Sequence, residues 1–350
     1  MRYAPRLDGL RGIAILMVLL EHFAMIVGRP ISAGYYGVNL FFVLSGFLIT
    51  SILISNENQS FGVAFFNFIA RRSLRIFPIY YLILFILFLI KAPSINDRLP
   101  YLLTYTYNYQ LAYLNFPSEP YSPYWSLGVE EQFYLFFPLL VLGLRKKPNS
   151  LIILCLLFFL LSFMQLFFDV FSLMKYNYVS LLTNIAPLSS GAIGAILSKK
   201  NILPNRILQN KNSEIAVLIF ILVINTCLDY KYVLIFCGIF NLYLVLKAYH
   251  FGFVVSFLDK LLLNSKLIFI GRISYGIYLY HNLIGYYFTN NIFDPIWKNI
   301  PFEQMGILSI IEYHSWLIKL PLYSFLSIII ATYSFKFIEL PILKLKNKFT

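Results

Sequence analysis

The chain has 350 residues, 59% of them hydrophobic and only 12% charged, with a mean hydropathy of +0.74, where a soluble domain carries about 25% charged residues. A water-soluble globular protein is excluded. At roughly 20 apolar residues per transmembrane helix, the length accommodates about ten spans in a single domain over 1–350 and is expected to leave none for an appended soluble domain.

In chain order, apolar runs of spanning length lie at 9–27, 35–54, 74–90, 125–143, 150–168, 178–198, 213–228, 231–249, 272–290 and 316–338. The predicted fold class is all-α, a polytopic membrane protein of about ten transmembrane helices. The run 178–198 is the weakest, diluted by Asn184, Pro187 and a Ser/Gly-rich stretch, and 213–228 is barely long enough. Ten spans place both termini on one side, and Lys and Arg identify that side because they collect in cytoplasmic loops. Arg2, Arg6 and Arg11, then Arg71, Arg72 and Arg75, then Arg145, Lys146 and Lys147 open a pattern that runs through Lys247 to Lys344, Lys346 and Lys348. That side carries three times as many cations as the other, so both ends are expected in the cytoplasm. The net charge of +13 is then topological and does not imply nucleic acid. The first run, Ile13 to Leu20, ends in Glu21 and His22 without a small-residue cleavage pattern, so no cleaved signal peptide is expected. Cys155, Cys227 and Cys237 all sit in apolar runs, with neither metal-ligand spacing nor a disulfide framework.

The longest connections, 91–124 and 291–315, are expected on the outer side. The first is rich in rings: Tyr101, Tyr105, Tyr107, Tyr109, Tyr113, Tyr121, Tyr124 and Trp125. Such rings serve as membrane-interface anchors or, on a sharper reading, as a stacking surface for a sugar or lipid-linked acceptor.

Charged side chains inside a span cost a few kcal/mol by insertion scales and are functional candidates by default. In RLDGLRGIAILMVLLEHF (6–23), Arg11 and His22 are eleven residues apart, about 20° from three full helical turns, so they share a face with the His roughly 16 Å deeper. An arginine at the inner mouth above a histidine suits an elongated anionic ligand whose reactive end meets the imidazole. Glu21 could orient His22 or bond elsewhere. In RRSLRIFP (71–78), Arg72 and Arg75 share a face at the cytoplasmic start of the third span; they suit phosphates or plain positive-inside anchoring. In YWSLGVEEQFY (124–134), Glu130 and Glu131 sit roughly 8 Å into the fourth span, and at least one must point into a polar interior. In GRISYGIYLYH (271–281), His281 lies near the midplane, as a satisfied interhelical bond or in a functional role. His250 and His314 lie near loop ends. No phosphate-binding Gly loop, serine-hydrolase elbow, HExxH or Cys/His cluster is present.

Taken together, these residues resemble the acyltransferase-3 family of integral-membrane O-acyltransferases, ten-helix proteins that decorate extracytoplasmic glycans. The resemblance runs from Arg6 to Pro341: Arg11 and His22; Phe41, Phe42, Ser45 and Gly46 for FFxxSG; Arg72, Arg75 and Pro78 for RxxRIxP; Trp125, Ser126 and Glu130 for WSLxxExxFY, which favours Glu130 over Glu131; then SYGIYLYH and the closing FIELP (337–341). Asn39 in GVNLFF departs from the family's usual Asp, so no ionisable role is expected there. The resemblance implies a multi-pass protein of the cytoplasmic (inner) membrane. It would move an acyl group, most simply acetyl, from cytoplasmic acetyl-CoA to a hydroxyl of a glycan such as O-antigen, lipopolysaccharide or exopolysaccharide, without a metal. Arg11, Arg72 and Arg75, with Ser45, would bind the donor. His22 would be the base, with Glu130 and Glu21 as further catalytic carboxylates. Tyr124, Trp125, Ser126 and His281 would meet the acceptor. His22 could take the hydroxyl proton for direct attack on the thioester or form an acyl-histidine. The competing class is a transporter, such as a flippase of a lipid-linked glycan, since intramembrane charges also mark substrate paths; the matching halves common in such proteins are not visible. A non-catalytic scaffold leaves the Arg11/His22 register unexplained.

Overall fold

Inside a bilayer every backbone polar group must be satisfied within its own element, which for a single apolar run means an α-helix. The computed structural model describes residues 3–55, 58–114, 119–168, 177–227, 230–302 and 311–348, and it is helical throughout, with no strand among the described residues. The principal helices are α1 (Pro5–Phe23), α2 (Ala33–Ser55), α3 (Phe61–Leu89), α4 (Trp125–Leu144), α5 (Pro148–Phe168), α6 (Leu181–Lys199), α7 (Lys211–Cys227), α8 (Tyr230–His250), α9 (Ser274–Phe288) and α10 (Trp316–Ser334). Six helical segments are long and apolar enough to cross a membrane: α2, α3, α4 with its short lead from Ser122, α5, α6, and Ile311–Lys346, which contains α10.

Several boundaries differ from the hydropathy pattern. The first run does not continue to residue 27, because Ala24 leaves helical geometry (φ −134°, ψ 59°) and a four-residue turn, Met25–Gly28, follows. The third helix starts at Phe61 rather than near 74, so Arg71, Arg72 and Arg75 lie well inside a 29-residue helix. Arginine is a good helix former, and nothing in FGVAFFNFIA breaks the helix ahead of it. The weak run at 178–198 is a regular helix, α6, whose start is capped by Ser180 accepting from the Thr183 amide. The residues that dilute its hydropathy face inward: Asn184, Ser189, Ser190 and Gly191 are buried, and Asn184 donates to the carbonyls of Tyr178 (2.7 Å) and Ser180 (2.9 Å). Their small size lets α6 meet α2 backbone to backbone. A methyl group on Gly46 would collide with the Leu188 carbonyl oxygen, and one on Gly191 with that of Val43.

The ring-rich connection is neither a row of interface anchors nor an open stacking surface over most of its length. Tyr105, Tyr107, Tyr121 and Tyr124 are buried, while Tyr101 and Tyr113 are exposed. Tyr105 stacks on Tyr80 of α3 at 4.5 Å between ring centroids. The Tyr107 hydroxyl donates to Glu119 (2.6 Å), which also receives Arg98 (2.9 Å). Burial, and the bond to Glu119, push the Tyr107 phenol well above its ordinary range. Residues 115–118 of this connection, and 303–310 of the other, lie outside the described residues. Lys247, counted above among cytoplasmic-side charges, is wholly buried and paired with Glu214 at 2.8 Å. Cys155 and Cys237 are buried free thiols; the Cys227 side chain lies outside the description.

Candidate active site

Five helices bring one residue set together. From α1 comes Arg11, from α2 Ser45, from α3 Arg71, Arg72 and Arg75, from α4 Ser126 and Glu130, and from α9 Ser274, Tyr275 and Tyr278; with Lys346 near the C-terminus they line a cavity of about 350 Å³. Five cations face this space and its lining contains one carboxylate, Glu130. Phe41, Phe42, Leu48, Ile49 and Phe68 supply an apolar wall. The volume is in the range of small-ligand pockets.

Local bonding fixes the polar wall. Ser45 donates to Glu130 at 2.7 Å, and the Tyr134 hydroxyl donates to Ser45 at 3.0 Å. The Arg72 guanidinium lies over the Tyr134 ring, 3.9 Å from its centroid, a cation–π contact that positions the side chain without neutralising it. None of the ion pairs among the described residues involves Arg11, Arg72 or Arg75. Glu339 of the closing FIELP is buried in the neighbourhood of Arg75. Such a cation excess around an apolar-walled space suits a ligand with an anionic head and an elongated apolar body, and arginine's planar donors match phosphate oxygens.

His22 does not line the cavity. The deep end is closed by Ser126 and Tyr278, whose hydroxyls lie 2.6 Å apart, with the Tyr278 hydroxyl also donating to the Pro123 carbonyl at 2.8 Å. One turn further along α9, His281 Nε2 lies 3.0 Å from His22 Nδ1, and His281 Nδ1 lies 2.6 Å from the Tyr278 carbonyl oxygen. Asn282, the next residue along α9, donates to the carbonyls of Pro120 (2.9 Å) and Glu119 (3.3 Å). The histidine pair thus sits between the cavity and the ring-rich connection.

The structure therefore gathers Arg11, Ser45, Arg72, Arg75, Ser126 and Glu130 around one space, and sets His22 and His281 together behind it. Three expected site residues stand apart. Glu21 accepts from the Gly34 amide at 2.7 Å, which satisfies the start of α2 and leaves His281 as the hydrogen-bond partner of His22. Tyr124 is buried and donates to the Leu279 carbonyl at 2.8 Å. Trp125 is buried between Tyr178 and Phe42. Sequence reasoning missed Tyr134, Tyr278, Asn282 and Lys346. Tyr134 and Tyr278 carried a signal, since they stand one helical turn from Glu130 and His281 respectively; Lys346 carried none beyond its charge. Among the described residues no group of three His, Cys, Asp or Glu is placed to hold a metal ion.

A family model described as an acyltransferase domain, Acyl_transf_3, matches residues 5–336. The chain belongs to the acyltransferase-3 family. Relatives include SACOL0978 of Staphylococcus aureus (strain COL), provisionally named an O-acetyltransferase, 27% identical over 98% of this chain. The chain spans 58% of that protein's length. The O-acetyltransferase OatA of Staphylococcus aureus (strain NCTC 8325 / PS 47) is 37% identical over 43% of this chain and 27% of its own. No solved structure matches. The acyltransferase-3 match takes in the histidine pair and every cavity residue except Lys346.

Proposed function

We propose that this acyltransferase-3 protein is a membrane O-acetyltransferase that moves an acetyl group from cytoplasmic acetyl-CoA to a hydroxyl of an extracytoplasmic or lipid-linked glycan, such as O-antigen or exopolysaccharide. The observation that carries this reading is the cation-lined, apolar-walled cavity with a histidine pair directly behind its deep end. Arg11, Arg72 and Arg75 take the phosphates of the donor, the pantetheine arm lies along Phe41, Phe42 and Leu48, and the thioester points at Tyr278. His22 takes the proton of the acceptor hydroxyl as it attacks the thioester carbonyl, a contribution of about 10²–10⁴-fold for a positioned base. Glu130, held by Ser45, sets the polarity of the cavity's inner end. For donor and base to meet, the Ser126–Tyr278 contact opens when the donor is seated.

The charge distribution supports ten spans in the cytoplasmic membrane with both termini inside. The donor then approaches from the cytoplasm, and the acceptor from the outer connection that Asn282 touches. The test uses oriented vesicles. Acetyl-CoA on the cytoplasmic face should acetylate a glycan confined to the other face, with free CoA released where the donor was added. A requirement for both substrates on the cytoplasmic side would overturn the cross-membrane arrangement. Movement of unmodified glycan without CoA release would identify a flippase instead.

A further inference from the structure

The bonding around the histidine pair determines which nitrogen of His22 is the base. We infer that His281 is a positioning residue that holds His22 in the Nδ1–H tautomer, so that Nε2 alone receives the proton of the acceptor hydroxyl; this deepens, and rests on, the acyl-transfer reading above. A carbonyl oxygen can only accept, so the 2.6 Å contact with Tyr278 places a hydrogen on His281 Nδ1. Neutral His281 then has its lone pair on Nε2, 3.0 Å from His22 Nδ1. Two lone pairs do not face each other at that distance, so His22 Nδ1 carries the hydrogen and donates it. The lone pair of His22 is left on Nε2.

The other three ring nitrogens of the pair are committed: His281 Nδ1 donates to the Tyr278 carbonyl, His281 Nε2 accepts, and His22 Nδ1 donates to it. His22 Nε2 is therefore where the reaction delivers its proton.

The step balances without any further reactant. The acceptor O–H gives its proton to Nε2 while its oxygen forms a bond to the thioester carbonyl carbon. The tetrahedral intermediate collapses with cleavage of the C–S bond, and the departing CoA sulfur takes the proton from Nε2, returning the ring to its neutral tautomer.

The test compares substitutions at position 281 in the purified full chain, with acetyl-CoA and a glycan acceptor. His281→Gln reaches His22 with an amide oxygen that can accept from Nδ1–H, whereas His281→Asn is too short and His281→Leu has no acceptor. His281→Leu and His281→Asn should lose about 10²-fold or more in kcat with the KM for acetyl-CoA nearly unchanged, and His281→Gln should recover most of the loss. Asparagine covers the case in which the leucine variant fails to fold, with CoA binding as the folding check. Parental kcat in either acceptor-less variant, or equal impairment of Gln and Asn, overturns the inference. Normal transfer by His22→Ala is a different result, which removes the base itself.

Discussion

Charge is buried in two quite different ways in this protein. Beneath α7 and α8, Lys247 and Glu214 are fully buried and paired at 2.8 Å; the ammonium also donates to the Leu208 carbonyl at 2.8 Å. The carboxylate accepts from the amides of Val254 (2.9 Å) and Val255 (3.0 Å). In the cavity, three arginines converge with no ion pair of their own. The first arrangement is closed and ties a chain turn to two helices; the second is open and asks for an anion. Burial of a charge within a span is therefore not what distinguishes function from structure here. Whether the partner is already in place is.

The largest effect that would sharpen this contrast is at the reactive end. His22→Ala should lower transfer by about 10²–10⁴-fold in a protein that still inserts and binds CoA; near-normal acetylation by such a protein would remove the base from His22. Next comes the closed pair. Lys247→Met leaves Glu214 as an uncompensated buried charge and should destabilise the fold by about 3–5 kcal/mol, read as a lower thermal midpoint in detergent. Lys247→Met combined with Glu214→Leu should regain much of it. An unaltered midpoint in the single variant would show that the pair is not structural. In the open cavity the pattern should invert: Arg72→Lys and Arg75→Lys keep the charge but lose the planar fork, so CoA should bind roughly 10-fold more weakly, about 1.4 kcal/mol, at an unchanged midpoint. Unchanged CoA affinity would return these arginines to simple anchoring.

The smallest effect concerns a third, half-open pair near the start of α1. Arg6 donates to both oxygens of Asp259 (2.7 and 2.9 Å), and the Phe253 amide donates to the same carboxylate (2.8 Å). The Arg6 hydrogen bond holds Asp259 below the ordinary carboxylate range. A carboxylate depressed in the folded state contributes stability above its unfolded pKa of about 3.9 and loses it as pH falls through the folded value. Being partly solvated, the pair is worth about 1 kcal/mol or less. Acid should therefore lower the thermal midpoint slightly more in the parent than in Arg6→Gln, and parallel curves would contradict the assignment.

Much of this was legible in the sequence. The Arg11–His22 register is a property of one helix, fixed by spacing, and RRSLRIFP and WSLGVEEQFY carried the rest of the cavity's polar wall. What could not be read was contact between distant elements. His281 was assigned to the acceptor, yet its nitrogen faces His22, 259 residues away. Glu21 neighbours His22 in sequence but bonds the start of α2 after the chain reverses. Lys247 is indistinguishable from a loop cation until Glu214 is seen opposite it. The tyrosines of 91–124 announce an aromatic surface, and only the packing on α3 shows that most of that surface is turned inward. Periodicity reports which face a side chain occupies, and it is silent about what that face meets.

The direct backbone contact between α2 and α6 at Gly46 and Gly191 has a mechanical consequence. Ser45 and the apolar wall of α2 are clamped next to that contact, so this side of the cavity behaves as a fixed jamb. Whatever swings to admit a ligand is then on the opposite leaf: α9 with Tyr278, and α3, where Pro78 interrupts the helical ladder just beyond Arg75.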